Sequence, residues 1–249
     1  EIRCRSVEQL QVSHLNFAYP DGKQILKDIS FQAKKGQMIG ITGPVACGKS
    51  TLGKAFLCEY PDEGQILVDG EELQNMTPSQ RTGIIGYLGH DPELFNDSVE
   101  NNVLLGEKKN AEDFLRMVCM DEEVKEMDDG IQTLVGNGGV RLSGGQGKRL
   151  ALARTLCHKK PVLVLDDPFS ALDKSTERQI FANLKEQSKN NIVLLISHRL
   201  YLFPQMDQII WMEDGKTVVG THEEMLANVT EYRKLFTEEG GAQGENGQK

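Results

Sequence analysis

Gly43-Pro44-Val45-Ala46-Cys47-Gly48-Lys49-Ser50, followed by Thr51, fits the pattern G-x-x-x-x-G-K-[ST]. The short apolar run Met38 to Thr42 leads into it, and a helix-like stretch begins at Ser50, so the reading is strand, loop, helix. The glycines let the backbone curl until several N–H groups face one phosphate, and the helix N-terminus behind them adds partial positive charge. Gly43, Pro44, Val45, Ala46, Cys47, Gly48, Lys49, Ser50 and Thr51 are therefore expected to hold a nucleotide's phosphates. Lys49 should reach the β- and γ-phosphates, and Ser50 should ligate Mg²⁺. A Gly-rich turn that binds nothing is disfavoured by the strand-loop-helix context.

Such a loop needs a second carboxylate for the metal at the end of a neighbouring strand. Val162-Leu163-Val164-Leu165-Asp166 supplies one, and Asp166 is expected to hold Mg²⁺ through water. An acid that only caps the next helix is the alternative. It is weakened by Asp167, because two adjacent acids in one turn repel unless a cation is near.

Away from the loop, Gln11 to Phe17 alternates as a strand, and the Asp69-Gly70 and Asp214-Gly215 pairs mark hairpins after Gly64–Val68 and between Gln208–Glu213 and Lys216–Val219. Val162–Asp166 and Ile192–Ser197 are instead apolar throughout, as buried parallel strands are, with helix-like Ser175–Gln187 between them. Ser98–Val118 and Gln146–Cys157 read as helical. The expected fold is α/β, a P-loop NTPase core sheet with an antiparallel β subdomain and an inserted helical subdomain. Residues 10–95 and 160–236 form the core with its β subdomain, residues 96–159 the helical lobe, and 237–249 a disordered tail poor in apolar residues.

Composition narrows the function. Hydrophobic residues make up 39% of the 249 and charged residues 26%, as in globular domains. A formal net charge of -9 gives no basic footprint, so no nucleic-acid partner is expected. The apolar stretches fall far short of the roughly 20 residues that span a bilayer, and Glu1 to Gln9 lacks a secretory h-region. A cytosolic setting is the expectation. The five cysteines are scattered, without C-x-x-C or zinc-ligand spacing, and read as reduced thiols.

Leu142-Ser143-Gly144-Gly145-Gln146, about twenty residues before Asp166, resembles the signature of the ABC transporter family. Ser170-Ala171-Leu172-Asp173 resembles its D-loop, His198 its switch histidine and Tyr19 the aromatic that stacks on adenine. The resemblance covers about residues 10 to 236. It implies an ATPase with ATP and Mg²⁺ as ligands, with Ser143, Gly144, Gly145, Gln146 and Asp173 meeting ATP bound to a second such domain. Two ATP molecules are then sandwiched in a head-to-tail homo- or heterodimer. Ser143 to Gly145 also precede a helix-like segment, so their N–H groups make a second anion device. Thr133 to Gly139, Asp91 to Phe95 and Gly220 to Leu226 are similar to exporter segments. That implies a transmembrane domain as partner, a place at the cytoplasmic face of a membrane, and a sequence cut from a longer chain.

Three positions depart from the family pattern. Asp167 stands where the family has the glutamate that polarises the attacking water, His90 where it has the Q-loop glutamine, and Asn137 where the X-loop has glutamate. A misplacement of about 1 Å can cost on the order of 10²-fold in rate, so this site is expected to be slow. His90 either ligates metal or is a solvated loop histidine; the sequence does not choose. The departures resemble the degenerate half of a heterodimeric exporter, although Asp166-Asp167-Pro168-Phe169-Ser170-Ala171-Leu172-Asp173 is also similar to the first nucleotide domain of long multidrug-resistance transporters. An exporter motor domain is the leading reading. A soluble ABC ATPase is opposed by the acidic charge, and a regulatory clamp that hardly turns over is suggested by Asp167 and His90.

Overall fold

Strands that alternate need one buried face, whereas strands apolar throughout need two. Both kinds occur in the computed structural model of the chain, which describes residues 6–59, 63–137 and 139–241. Strand β1 (Gln9–Ala18) buries Leu10, Val12, Leu15 and Phe17 and pairs antiparallel with β2 (Gln24–Lys34). Strand β3 (Met38–Thr42), buried along its whole length, feeds helix α1 (Lys49–Ala55) through the Gly43 loop. Strands β4 (Glu63–Val68) and β5 (Glu71–Glu72) are joined by Asp69 (φ 49°) and Gly70 (φ 82°), left-handed at both positions as a two-residue hairpin turn requires. These strands make a sheet in the order β2-β1-β4-β5.

Helix α2 (Pro78–Ile84), capped by Thr77 and Gln80, runs into β6 (Ile85–Leu88). A helical lobe follows. It contains β7 (Asp97–Ser98), α3 (Val99–Leu104), α4 (Ala111–Met117), α5 (Asp121–Lys125), β8 (Leu134–Val135) and α6 (Gly144–Cys157). Ser98–Val118 is thus not one helix. Leu105 (φ 43°) and Gly106 (φ 88°) are both left-handed and end α3, and Asn110 opens α4 by accepting from the Glu112 N–H.

The chain then returns to the core with β9 (Val162–Asp166), α7 (Lys174–Gln187), β10 (Ile192–Ile196), the hairpin β11 (Gln208–Glu213) and β12 (Lys216–Gly220), and helices α8 (His222–Asn228) and α9 (Thr230–Gly241). The expected tail from 237 needs correction, because α9 continues to Gly241; Thr237 Oγ1 donates to the Arg233 carbonyl and Glu239 accepts from the Tyr201 N–H, so polar contacts that composition does not show carry the helix past Phe236. Residues 242–249 lie outside the described residues.

The second sheet has the order β12-β11-β3-β10-β9-β6, parallel except for β12. Its two faces are filled separately. Val162, Val164, Ile192, Leu194 and Ile196 pack with Leu52 and Phe56 of the α1 segment and with β1 and β2. Leu163, Leu165, Val193 and Leu195 pack with Leu150, Phe169, Phe181 and Trp211 on the helical side. Five parallel strands therefore end along one edge, where open α/β sheets place their ligands.

Candidate functional site

The Gly43 loop leaves β3 where the end of β11 is close. Gly43 (φ 151°) sits against this neighbour so tightly that a Cβ would stand 2.0 Å from the Met212 carbonyl oxygen. Gly48 (φ 100°) turns the chain into α1. The Lys49 side chain is buried within the loop. Its Nζ donates to the Gly43 carbonyl (2.9 Å) and the Pro44 carbonyl (2.6 Å), and lies 3.5 Å from Cys47 Sγ. The ammonium is thus held in the hollow of the loop, and Val45 is 88% exposed.

The neighbouring strands bring three more groups to the same edge. β9 ends on Asp166, β10 runs through Ser197 to His198, and His90 lies two residues beyond β6. The ends are tied together, since the Asp167 N–H donates to the Ile196 carbonyl (2.9 Å) and the Ser197 N–H to the Ile41 carbonyl (3.1 Å). A cleft of about 380 Å³ is lined by Val45 to Thr51 of the loop, by His90, Asp166, Asp167 and His198, and by Tyr19. That volume suits a small ligand. Tyr19 is held edge-to-face by Phe17, with ring centroids 5.0 Å apart, and the residue is 39% exposed. Gly43 and Pro44 shape the loop without lining that cleft.

Asp166 is 2% exposed, yet among the described residues its Oδ2 has no hydrogen-bond partner. A buried, unpartnered carboxylate oxygen calls for a cation or a water held by one, and the Ser50 hydroxyl lines the same cleft. These residues fit Mg²⁺. Among the described residues no cluster of three His, Cys, Asp or Glu side chains is placed to hold a metal; Mg²⁺ is bound by one or two carboxylates together with substrate phosphates and waters.

Asp167 has a left-handed backbone (φ 50°), a conformation that aspartate tolerates better than most residues. Its side chain is 14% exposed, and its Oδ2 lies 3.8 Å from Nδ1 of His90, itself 54% exposed. Two of the three departures from the family pattern are therefore neighbours in space. The nearest recorded ionic partner of His90 is this carboxylate. His198 stands at the exposed lip of the cleft; partial burial of its ring, and then the charge of Lys49, hold its pKa below the usual imidazole value despite Asp167 and Asp166. It is therefore neutral at pH 7, able to donate from one ring nitrogen and accept at the other.

Ser143, Gly144, Gly145, Gln146 and Asp173 do not line this cleft. Ser143 caps α6. Its Oγ accepts from the Gln146 N–H (3.2 Å), while Gln146 Oε1 accepts from the Ser143 N–H (2.9 Å), and no acid lies in the first turn of the helix. Gly144 faces open space, whereas a Cβ on Gly145 would meet the Ala171 carbonyl oxygen at 3.0 Å. Asp173 caps α7, accepting from the N–H groups of Ser175 and Thr176 and from the Thr176 hydroxyl. These hydrogen bonds, the Thr176 hydroxyl first, hold its carboxyl below the usual range. Asn137 donates its N–H to Asn96 Oδ1 (2.6 Å), away from the nucleotide edge, and Gly138 beside it lies outside the described residues.

Sequence reasoning missed Lys23, Ile25 and Ile196 in the cleft wall. It also missed Tyr87, whose buried hydroxyl has no partner among the described residues and whose pKa is pushed up to about 12 by burial and the Asp166 charge. Neither an apolar strand end such as Ile196 nor a strand start such as Ile25 carries a local mark that says it will meet a ligand.

The profile of the family described as ABC transporter matches residues 26–170. The "Probable multidrug resistance ABC transporter ATP-binding/permease protein YheI" of Bacillus subtilis is 38% identical over 244 residues, covering 92% of this chain and 42% of that protein. The "ATP-dependent lipid A-core flippase" of Burkholderia pseudomallei is 39% identical over 240 residues, covering 93% of this chain and 40% of that protein. Among solved structures, that of a bacterial Atm1-family ABC exporter with ATP bound is similar with a TM-score of 0.88 and 28% identity, over 94% of this chain and 42% of that one. The chain spans about two fifths of the length of the relatives it matches.

Proposed function

Because the chain belongs to the ABC transporter family, we propose that it is the ATP-binding and ATP-hydrolysing motor of an exporter, paired with a second such domain at the cytoplasmic face of a membrane and joined to a transmembrane part. The relatives named as exporter and flippase support this reading. Among the described residues no helix is long and apolar enough to cross a membrane, so the membrane path belongs to another part of the transporter.

One observation carries the pairing. The chain holds two anion devices, the Lys49 loop and the Ser143 cap, and only the first lines its nucleotide cleft. In this reading the second serves the nucleotide of a partner, whether a second copy or a related chain. In that arrangement the loop N–H groups and Lys49 bind the β- and γ-phosphates, and Tyr19 offers its ring to the base. Ser50 and Asp166 would hold Mg²⁺, which when bound would supply charge neutralisation at the phosphates. Asp167 orients water toward the γ-phosphorus and accepts its proton, while neutral His198 donates a hydrogen bond to a γ-phosphate oxygen.

Sedimentation with and without Mg-ATP tests the pairing: the protein should be monomeric alone and associate with ATP. A stable nucleotide-free dimer would contradict it. Gly144→Ala sharpens the test, because the added methyl has open space in the single chain. Unfolding temperature and ATP affinity should stay as they are, while ATP-dependent association weakens about tenfold or more as the methyl meets the partner's phosphates.

A second reading, a clamp that binds ATP and hardly turns it over, is favoured by the His90–Asp167 contact. Turnover measured with the partner domain separates the two.

A further inference from the structure

The Ser143 cap is built with support from outside α6. Glu123, on α5, receives three hydrogen bonds from that helix. Its Oε1 accepts from Arg149 Nη1 (2.6 Å), and its Oε2 accepts both from Arg149 Nη2 (2.9 Å) and from Gln146 Nε2 (2.9 Å). Arg149 is nearly buried and also donates to the Cys119 carbonyl (2.6 Å), so the bidentate pair is fixed at both ends. Burial raises the Glu123 carboxyl, but the hydrogen bonds from Arg149 and Gln146 outweigh it and hold the group below its usual range, ionised at pH 7.

The chemistry of these partners imposes a direction. An ionised carboxylate only accepts, so it can bind only the NH₂ end of the Gln146 amide. The carbonyl end is thereby turned back to the Ser143 N–H (2.9 Å). Ser143 Oγ in turn accepts from the Gln146 N–H (3.2 Å), which leaves the hydroxyl proton free to point outward. From this chain of contacts we infer that Glu123 is a positioning residue for the signature, fixing the Gln146 amide and through it the Ser143 hydroxyl and the first N–H groups of α6 that meet a partner's γ-phosphate. The inference rests on the pairing reading above for its effect on association, but not for its effect on the cap. Nothing about Glu123 touches the protein's own nucleotide cleft, whose lining does not include it.

The test compares the unmodified protein with Glu123→Gln and Glu123→Ala. Alanine leaves Arg149 without its carboxylate, a change that can unfold the lobe. Glutamine keeps the shape and one acceptor but sets an NH₂ group against a donor, so it is the decisive variant. Three readouts are taken: Mg-ATP affinity by calorimetry, ATP-dependent association with a second copy by sedimentation, and amide hydrogen exchange along α6. For Glu123→Gln the ATP affinity should not change. Association should weaken about tenfold, the loss of one charge-assisted contact, and the Gln146 N–H should exchange about tenfold faster while Leu150 to Ala153 keep their protection. Unchanged exchange at Gln146 overturns the inference, and so does a uniform rise along the whole helix, which would mark Glu123 as merely structural. Faster exchange at Gln146 with unchanged association also overturns it, since the cap would then not matter to pairing. If the unmodified protein does not associate with a second copy in ATP, pairing between identical copies fails, and exchange at Gln146 alone decides whether Glu123 sets the cap.

Discussion

Lys49→Ala should abolish measurable Mg-ATP binding, raising Kd by roughly 100-fold or more, and leave the fold intact. The ammonium is buried in the loop and donates to the Gly43 and Pro44 carbonyls, so it already lies where phosphate oxygens would be received. Two charge-assisted hydrogen bonds at about 1.5–3 kcal/mol each account for a loss of that size. The fold should survive because the Pro44 carbonyl belongs to an exposed residue that water can reach, and because α1 is anchored by Leu52, which is fully buried. Lys49→Met is the control, since it keeps the buried stem and removes only the donors. Calorimetry on both variants, with thermal unfolding alongside, gives the result. Unchanged affinity in either would remove Lys49 from the site.

The second large effect is expected from Asp167→Glu, which should raise ATP turnover about tenfold or more by carrying the carboxylate one methylene further toward the attacking water. Charge is unchanged, so only position is tested. The structure adds two constraints that bear on the size of the gain. Asp167 is left-handed (φ 50°), where glutamate is less comfortable than aspartate, and this costs part of the gain. His90 also stands 3.8 Å from the present carboxylate, in the space a longer side chain would sweep. His90→Gln combined with Asp167→Glu should therefore exceed the sum of the single effects, as expected for groups that act on one transition state. Steady-state rates of the three variants and the parent at saturating Mg-ATP, with the partner domain present, measure this. If none of the variants turns over faster, Asp167 is not the limiting group.

Much of the fold is legible because the strands announce their surroundings. Val162–Asp166 and Ile192–Ile196 are apolar on both faces, and they lie side by side, parallel, in the middle of the six-stranded sheet. The hairpins at Asp69-Gly70 and Asp214-Gly215 follow from residues that accept left-handed backbone. What was not legible depended on distance. Asp167 and His90 are 77 positions apart, and only the parallel pairing of β6 with β9 brings them together. Glu123 lies in the acidic run Asp121-Glu122-Glu123, which by itself reads as a solvated helix start. Its role depends on Arg149 being turned inward, which no local pattern marks. The break in Ser98–Val118 had a local signal in Gly106 and the polar stretch after it, but the lobe's helices are short and held by packing rather than by propensity, so their ends are weakly written.

Gly145 packs against the peptide of Ala171, and a Cβ there would also lie 3.2 Å from Leu172 Cδ2. Two segments that a sequence alignment treats as separate motifs thus share one surface within a single chain. Their tolerance to substitution should be linked: a side chain at 145 meets the Ala171 carbonyl oxygen at 3.0 Å before it meets Leu172, so a smaller residue at 172 relieves only part of the crowding and the Ala171 peptide must also shift, and selection for a partner contact at one segment would constrain the other. Natural variation in the two segments should then be correlated, even where each is facing a different nucleotide.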